Sequence, residues 1–148
     1  MSNKPAERGG RDVDEYGRTP LHYAAAEANA DSVHSLLAGG ADPNAQDNNG
    51  WTPLHFAAQA TSVRVTQQLL EAGAEIDARD SYGNTPLSGA VFSSKGRGEL
   101  ILLLRGAGAD CWAQNNYGVS PVSLARGIGN YDVARFFADL PASTSCST

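Results

Sequence analysis

A six-residue motif that recurs at an almost constant interval constrains the fold of this chain more than any other feature. It reads TPLHYA at residues 19–24, TPLHFA at 52–57, TPLSGA at 85–90 and, in a diverged copy, SPVSLA at 120–125. The copies begin 33, 33 and 35 residues apart. A fixed period of this length is typical of supersecondary units that stack in a single array.

Other landmarks keep the same register. A glycine lies two residues before the start of each motif copy, at Gly17, Gly50, Gly83 and Gly118. An apolar pair follows later in each repeat, at residues 36–37, 69–70, 103–104 and 136–137. The first three pairs are followed by GAD, GAE and GAD at residues 40–42, 73–75 and 108–110. Several landmarks that share one period indicate a true internal repeat.

The pattern resembles the ankyrin repeat, whose period is about 33 residues and whose signature is T-P-L-H-x-A. The resemblance covers about residues 13–140; the third copy has Ser88 in place of His, and the fourth has Ser120 and Val122 in place of Thr and Leu. It implies an all-α fold, an ankyrin-repeat solenoid of four helix-turn-helix repeats with β-hairpin-like fingers. The expected repeats span about 14–46, 47–79, 80–114 and 115–140, between flexible tails at 1–12 and 141–148.

Each motif also predicts the start of a helix on physical grounds. Thr19 is a good N-cap because its hydroxyl can accept from a free backbone N–H, and Pro20 suits the first helical position. Leu21, Ala24 and Ala25 then form a narrow apolar stripe, whose small side chains allow neighbouring helices to approach closely. Helices this short are marginal in isolation, so the repeats must stack to bury a continuous core.

Repeats three and four depart from the pattern. Repeat three has two extra residues, and its turn at 93–98 is expected to form a longer, mobile loop. In repeat four a second helix is expected at about 131–140, with Phe136 and Phe137 facing inward and Pro141 at its end.

Charge and hydropathy narrow the function classes. The formal net charge is −5 and the pI is about 5.0, which disfavours binding to nucleic acid and suits a basic protein partner. No apolar run is long enough to span a membrane, and the first eleven residues lack a signal-peptide pattern. The sequence therefore predicts a cytoplasmic protein that is monomeric when free.

The sequence offers no catalytic set, and we expect neither a metal nor a cofactor. His22 and His55 hold equivalent places in adjacent repeats, too far apart to share one zinc ion, and the resemblance implies that each bonds to the Thr of its motif. His34 is expected to face solvent. Cys111 falls at a packing position, and Cys146 lies in the tail.

The variable positions between the framework residues predict a binding surface. The resemblance implies a concave surface made of finger tips and the outer face of the first helices. The candidate residues on it are Tyr16, Arg18, Glu27, Asn49, Trp51, Gln59, Tyr82, Asn84, Phe92, Trp112 and Tyr117. Exposed Tyr, Trp and Arg dominate interface energetics, although some of these aromatics could instead stabilise the stack. Trp51 and Tyr82 are expected to lie outside the core.

Three functions remain open at this stage. The leading hypothesis is a protein-binding module that acts by occlusion or inhibition, of which a bacterial toxin-neutralising immunity protein is one version. The second is a structural or assembly adaptor without an inhibitory role. The third is an enzymatic or small-molecule role, which would need a deep pocket that stacked repeats seldom offer.

Overall fold

The computed structural model describes residues 13–129 and 132–141, and this part of the chain is helical without a β-strand. Three helix pairs are followed by a seventh helix and a short 3-10 helix. The helices are α1 (Pro20–Ala26), α2 (Ala30–Ala38), α3 (Pro53–Gln59), α4 (Val63–Glu71), α5 (Pro86–Ser93), α6 (Glu99–Gly106) and α7 (Pro121–Gly127), with the 3-10 helix at Ala134–Phe137. The terminal tails predicted from the sequence lie almost wholly outside the described residues.

The first helices begin where the motif predicts. In α3 the hydroxyl of Thr52 accepts from the backbone N–H of His55, and the backbone N–H of Thr52 donates to Nδ1 of His55 at 3.1 Å. Pro53 occupies the first turn, where no intrahelical donor is needed. α1 is capped in the same way, and α7 uses Ser120 and Ser123. Local bonds thus fix the starts of α1, α3 and α7, whereas Thr85 at the start of α5 makes no side-chain cap bond.

The helices form two layers. α1, α3, α5 and α7 pack side by side in one layer, and α2, α4 and α6 form the other. The leucines of the first three motifs and Val122 of the fourth are at most 1% exposed, and the alanines behind them let the layers come close. Because helices of seven to nine residues are marginal alone, the apolar contacts between neighbours stabilise the array.

The connections between repeats form fingers that close through backbone hydrogen bonds. In the second finger the N–H of Asp47 donates to the carbonyl of Trp51, and the N–H of Gly50 donates to the carbonyl of Asp47, both at 2.9 Å. Oδ1 of Asp47 accepts from the N–H groups of Asn49 and Trp51 at 2.9 Å each. The same pattern recurs at Asp14, Asp80 and Asn115. The fingers are hairpin-like turns rather than paired strands.

The turn of repeat three is longer, as expected, but it is packed. Residues 94–98 separate α5 from α6, whereas residues 27–29 and 60–62 suffice in repeats one and two. Ser94 is buried, with its hydroxyl donating to the carbonyl of Val91 at 3.0 Å. Gly98 is also buried, against the ring of Phe136, where a Cβ atom would lie 2.2 Å from the ring.

The expected second helix of repeat four does not form as an α-helix. Residues 134–137 are a single 3-10 turn, and residue 131 lies outside the described residues. Val133, before this turn, supplies no side-chain cap, whereas Asn29 and Ser62 cap α2 and α4. Phe137 is fully buried, as expected, and Phe136 is half-buried. A bidentate ion pair from Arg105 to Asp139, at 2.9 Å for both bonds, holds the segment against α6.

Candidate functional site

The four finger tips form one continuous row. Successive fingers are joined by backbone hydrogen bonds of 2.8–2.9 Å, from Asn48 to Tyr16, from Ser81 to Asn49 and from Asn116 to Tyr82. The row of tip side chains therefore consists of Tyr16, Asn49, Tyr82 and Tyr117, which we call the tip row. The three tyrosines are 52%, 53% and 74% exposed, and Asn49 is also exposed. The backbone of the row is fixed while its side chains remain open to solvent.

The residues that follow the finger glycines are held more firmly than the side chains of the tip row. Arg18 is half-buried and its Nε donates to Oδ2 of Asp47 at 3.1 Å. Its guanidinium carbon also lies 5.1 Å from the ring centroids of Tyr16 and Phe56. Planar stacking and ion pairing of this kind stabilise an arginine side chain in one position. Arg18 thus joins the first finger to repeat two, beside the tip row.

Trp51 lies at the edge of the core rather than within it, and its side chain is less open than those of the tip row. Its ring is half-buried, with its centroid 4.8 Å from that of Phe56 and 5.6 Å from that of His55. It packs against the core of repeats one and two, and its carbonyl accepts from Nε2 of His22 at 2.9 Å. This packing corresponds to the alternative that the sequence left open, in which an aromatic finger residue stabilises the stack.

Asn84 and Trp112 also serve the stack. The side-chain oxygen of Asn84 accepts from Nδ2 of Asn115 at 2.9 Å, which ties the third finger to the fourth. Trp112 is half-buried against the core of repeats three and four, and the guanidinium carbon of Arg126 lies 5.7 Å from its ring centroid. Neither side chain is as open as the tip row.

The ends of the first helices carry the remaining candidates. Glu27, Gln59 and Phe92 are exposed, and Phe92 is the most open of the exposed large apolar side chains in the described residues, at 76%. Phe92 and Gln59 border an open groove of about 320 Å³. Its other lining residues are Thr61, Ser93, Lys95 and Arg97. We call this the third-repeat groove.

The two motif histidines link neighbouring repeats, as a framework role requires. Nδ1 of His22 accepts from the N–H of Thr19 at 2.9 Å, and Nε2 faces the carbonyl of Trp51. Nε2 of His55 faces the carbonyl of Asn84 at 3.0 Å in the same manner. Since Nδ1 accepts and Nε2 faces an acceptor, each ring is the neutral tautomer with its proton on Nε2. Burial lowers the pKa of both histidines, although the bonds to the carbonyls oppose that shift.

The described residues contain no group of three or more His, Cys, Asp and Glu side chains that could hold a metal ion. His34 is exposed, as expected. Cys111 is buried in the core of repeats three and four, and burial raises the pKa of its thiol, which makes it a poor nucleophile. Cys146 lies outside the described residues.

The predicted site residues did not include the side-chain acceptors of the fingers, which are three carboxylates and one amide. Asp14, Asp47, Asp80 and Asn115 each lie three residues before the finger glycine and keep the same period as the motif. Their side chains accept from two backbone N–H groups apiece, which holds every tip in the same shape. The signal was present in the spacing, since a short acceptor before a glycine at positive φ is a turn pattern.

Comparison with protein-family models matches residues 25–115, more than half of the chain, to three copies of the ankyrin repeat. This match and the helical array confirm the fold class predicted from the sequence. Comparison with curated proteins gives no match. In the described part of the chain the longest helices have nine residues, and none is long and apolar enough to cross a membrane.

Proposed function

Because the chain belongs to the ankyrin-repeat family, whose repeats generally mediate protein–protein interaction and are typically non-catalytic, we propose that it binds a protein partner through the tip row and the exposed ends of the first helices. The proposed contact residues on the first helices are Glu27, Gln59 and Phe92. Arg18 contributes at the edge, while Trp51, Asn84 and Trp112 support the surface from within.

The observation that carries the proposal is the combination of exposed tyrosines with a locked backbone. Tyr82 is half-exposed, yet its carbonyl accepts from the next finger and its N–H donates to Asp80 at 2.9 Å. A tyrosine offers a large amphipathic contact area and has only two side-chain torsions to fix. Since the backbone is already ordered, little further entropy is lost when a partner covers the row.

We propose that binding acts by occlusion: the surface formed by the tip row and the ends of the first helices would cover a face of the partner that the partner needs for its own activity. A net charge of −5 favours encounter with a basic partner, and a basic bacterial toxin would be a partner of that kind. We also propose that the free protein is a monomer in the cytoplasm. Sedimentation of the purified protein and fractionation of the host cells test these two points.

The test is affinity capture from the native host with the wild-type chain and a Tyr82→Ala/Tyr117→Ala variant. We expect the double variant to lose about 2–4 kcal/mol of binding free energy, which is roughly a 30- to 1000-fold weaker Kd. The matched control is Leu102→Ala, because Leu102 is an exposed apolar residue on α6, in the other helix layer. Calorimetry with the identified partner gives the three affinities.

Equal affinity of all three proteins for the partner would contradict the placement of the site at the tip row. The activity of the captured partner then separates the two functional hypotheses. Inhibition upon binding supports occlusion, whereas a partner that stays active and joins a third protein supports the adaptor role.

A further inference from the structure

The third-repeat groove differs in charge from the chain as a whole. The chain has a net charge of −5, but two cations, Lys95 and Arg97, line this groove beside the open ring of Phe92. Neither cation makes an ion pair among residues 13–129 and 132–141. Glu99 lines a neighbouring pocket together with Arg97, but it does not line this groove. On a surface with more acidic than basic groups, two neighbouring cations that form no ion pair make a local site for negative charge.

The turn that carries these cations is anchored at both ends. The hydroxyl of Ser94 accepts from the N–H of Gly96 at 3.3 Å, and the carbonyl of Ser94 accepts from the N–H of Arg97 at 3.0 Å. From repeat four, Nη2 of Arg135 donates to the carbonyl of Gly96 at 3.2 Å. Lys95 itself takes a left-handed backbone conformation with φ +52°. The two extra residues of repeat three thus belong to an ordered turn, held by these hydrogen bonds, at the side of the groove.

We propose that the third-repeat groove binds a short acidic segment of the partner, in which carboxylates on either side of one apolar residue meet Lys95 and Arg97 while that residue packs on Phe92. The proposal rests on the proposed function and names the chemistry of one part of the same contact. A space of about 320 Å³ suits a few side chains of a peptide and is too small for a folded domain.

An acidic segment is compatible with a partner that is basic overall. Net charge steers encounter over distances of about a Debye length, roughly 8–10 Å or more, whereas contacts in the groove are made at a few ångströms. Charge also argues against a nucleic acid in this groove, because the chain as a whole repels a phosphate backbone.

The experiment uses the full chain, labelled with ¹⁵N, and synthetic peptides as probes. The acidic probe is GEDLDEG, and the controls are the charge-reversed GKKLKKG and the apolar-deleted GEDSDEG. We expect GEDLDEG to shift the amide resonances of groove residues, with GEDSDEG several-fold weaker and GKKLKKG inactive. Raising the salt from about 50 to 300 mM should weaken binding of the acidic probe, because exposed charges are screened.

The variant that tests the cations is Lys95→Glu/Arg97→Glu. Both residues are exposed, so the fold should be retained, and circular dichroism checks it. We expect the Kd for GEDLDEG to rise about tenfold or more, since two attractions become repulsions. Arg64→Glu is the matched control, because Arg64 is an exposed cation that does not line the groove, and it should change the Kd less than twofold.

Two results would overturn the inference: no shift of groove amides with GEDLDEG, or an unchanged Kd in the Lys95→Glu/Arg97→Glu variant. Capture from the host separates this outcome from failure of the proposed function. A partner that the tip-row variant loses and the groove variant retains in full supports the proposed function and overturns the groove. If no protein is captured, the proposed function fails and the peptide titration alone decides the groove.

Discussion

Replacement of His55 by alanine should destabilise the fold far more than an ordinary helix substitution. His55 is only 4% exposed and holds three partners: the N–H of Thr52 at 3.1 Å, the hydroxyl of Thr52 at 2.9 Å and the carbonyl of Asn84 at 3.0 Å. Alanine leaves the buried N–H of Thr52 without this acceptor, at a cost of about 1–3 kcal/mol. The carbonyl of Asn84 keeps its bond from Asp80, so that loss is about 1 kcal/mol.

The lost ring adds to these terms, because its contact with Trp51 disappears and a cavity remains in the first-helix layer. We therefore expect His55→Ala to lower the free energy of unfolding by about 3–4 kcal/mol. For a chain of this size that corresponds to a fall of roughly 10 °C in Tm. Urea denaturation followed by circular dichroism at 222 nm measures the change, with the slope against urea as a check on cooperativity.

Repeat three supplies the matched control. Ser88 holds the position of His55, but Thr85 makes no side-chain cap bond there and its buried hydroxyl has no partner among the described residues. Ser88→Ala should therefore cost less than about 1 kcal/mol. If His55→Ala and Ser88→Ala proved equally mild, the bonds of the histidine would not be what couples adjacent repeats, and the expected coupling through His55 would be refuted.

Further predictions concern pH, the finger glycines and the C-terminal end. Burial lowers the folded-state pKa of His22 and His55 below the unfolded value of about 6.5. The contribution of these histidines to stability is therefore complete above that pH and is lost as the pH falls toward the folded-state pKa. The free energy of unfolding falls by at most about 1.4 kcal/mol per pH unit for each histidine. Thermal melts from pH 7.5 to 5 should show this fall, reduced in His55→Ala; identical melts across the range would contradict it. Gly50→Ala should lower the free energy of unfolding by about 2–4 kcal/mol, because φ is +79° and the new Cβ would lie 2.8 Å from a backbone nitrogen of the next finger. Gly118 has the same φ but open space around it, so Gly118→Ala should lower it by only about 1–2 kcal/mol. Urea denaturation measures both changes. Phe137→Ala should cost about 3–5 kcal/mol in the same assay, because the ring is fully buried; a loss below 1 kcal/mol would show that the 3-10 segment is not part of the core.

The parts of the fold that sequence could predict are those that a few neighbouring residues determine. The starts of α1, α3 and α7 follow from a hydroxyl N-cap with proline next to it, and the structure shows those caps in place. The role of His55 followed from the resemblance, and its bond to Thr52 spans only three residues. Period and local chemistry together were enough for these features.

The features that the sequence pattern does not predict depend on how side chains pack in the folded chain. Phe56 follows Trp51 by only five residues, but the local sequence does not tell whether the Trp51 ring turns toward Phe56 and the core of repeats one and two or toward solvent. Likewise, the short 3-10 segment at residues 134–137 carries two phenylalanines and looks like the start of a helix, but it has no cap, and Arg105 of α6 binds it.

The longer turn of repeat three has a consequence for how this architecture tolerates change. The segment from Tyr82 to Asn116 is two residues longer than the equivalent segments from Asn49 to Ser81 and from Tyr16 to Asn48. The backbone hydrogen bond between the tips is nevertheless kept, at 2.8 Å. The extra length is absorbed at residues 94–98, on the far side of the helices from the fingers. A change in the length of one repeat is therefore accommodated at the inter-helix turn, and the regular spacing of the tyrosine tips does not depend on it.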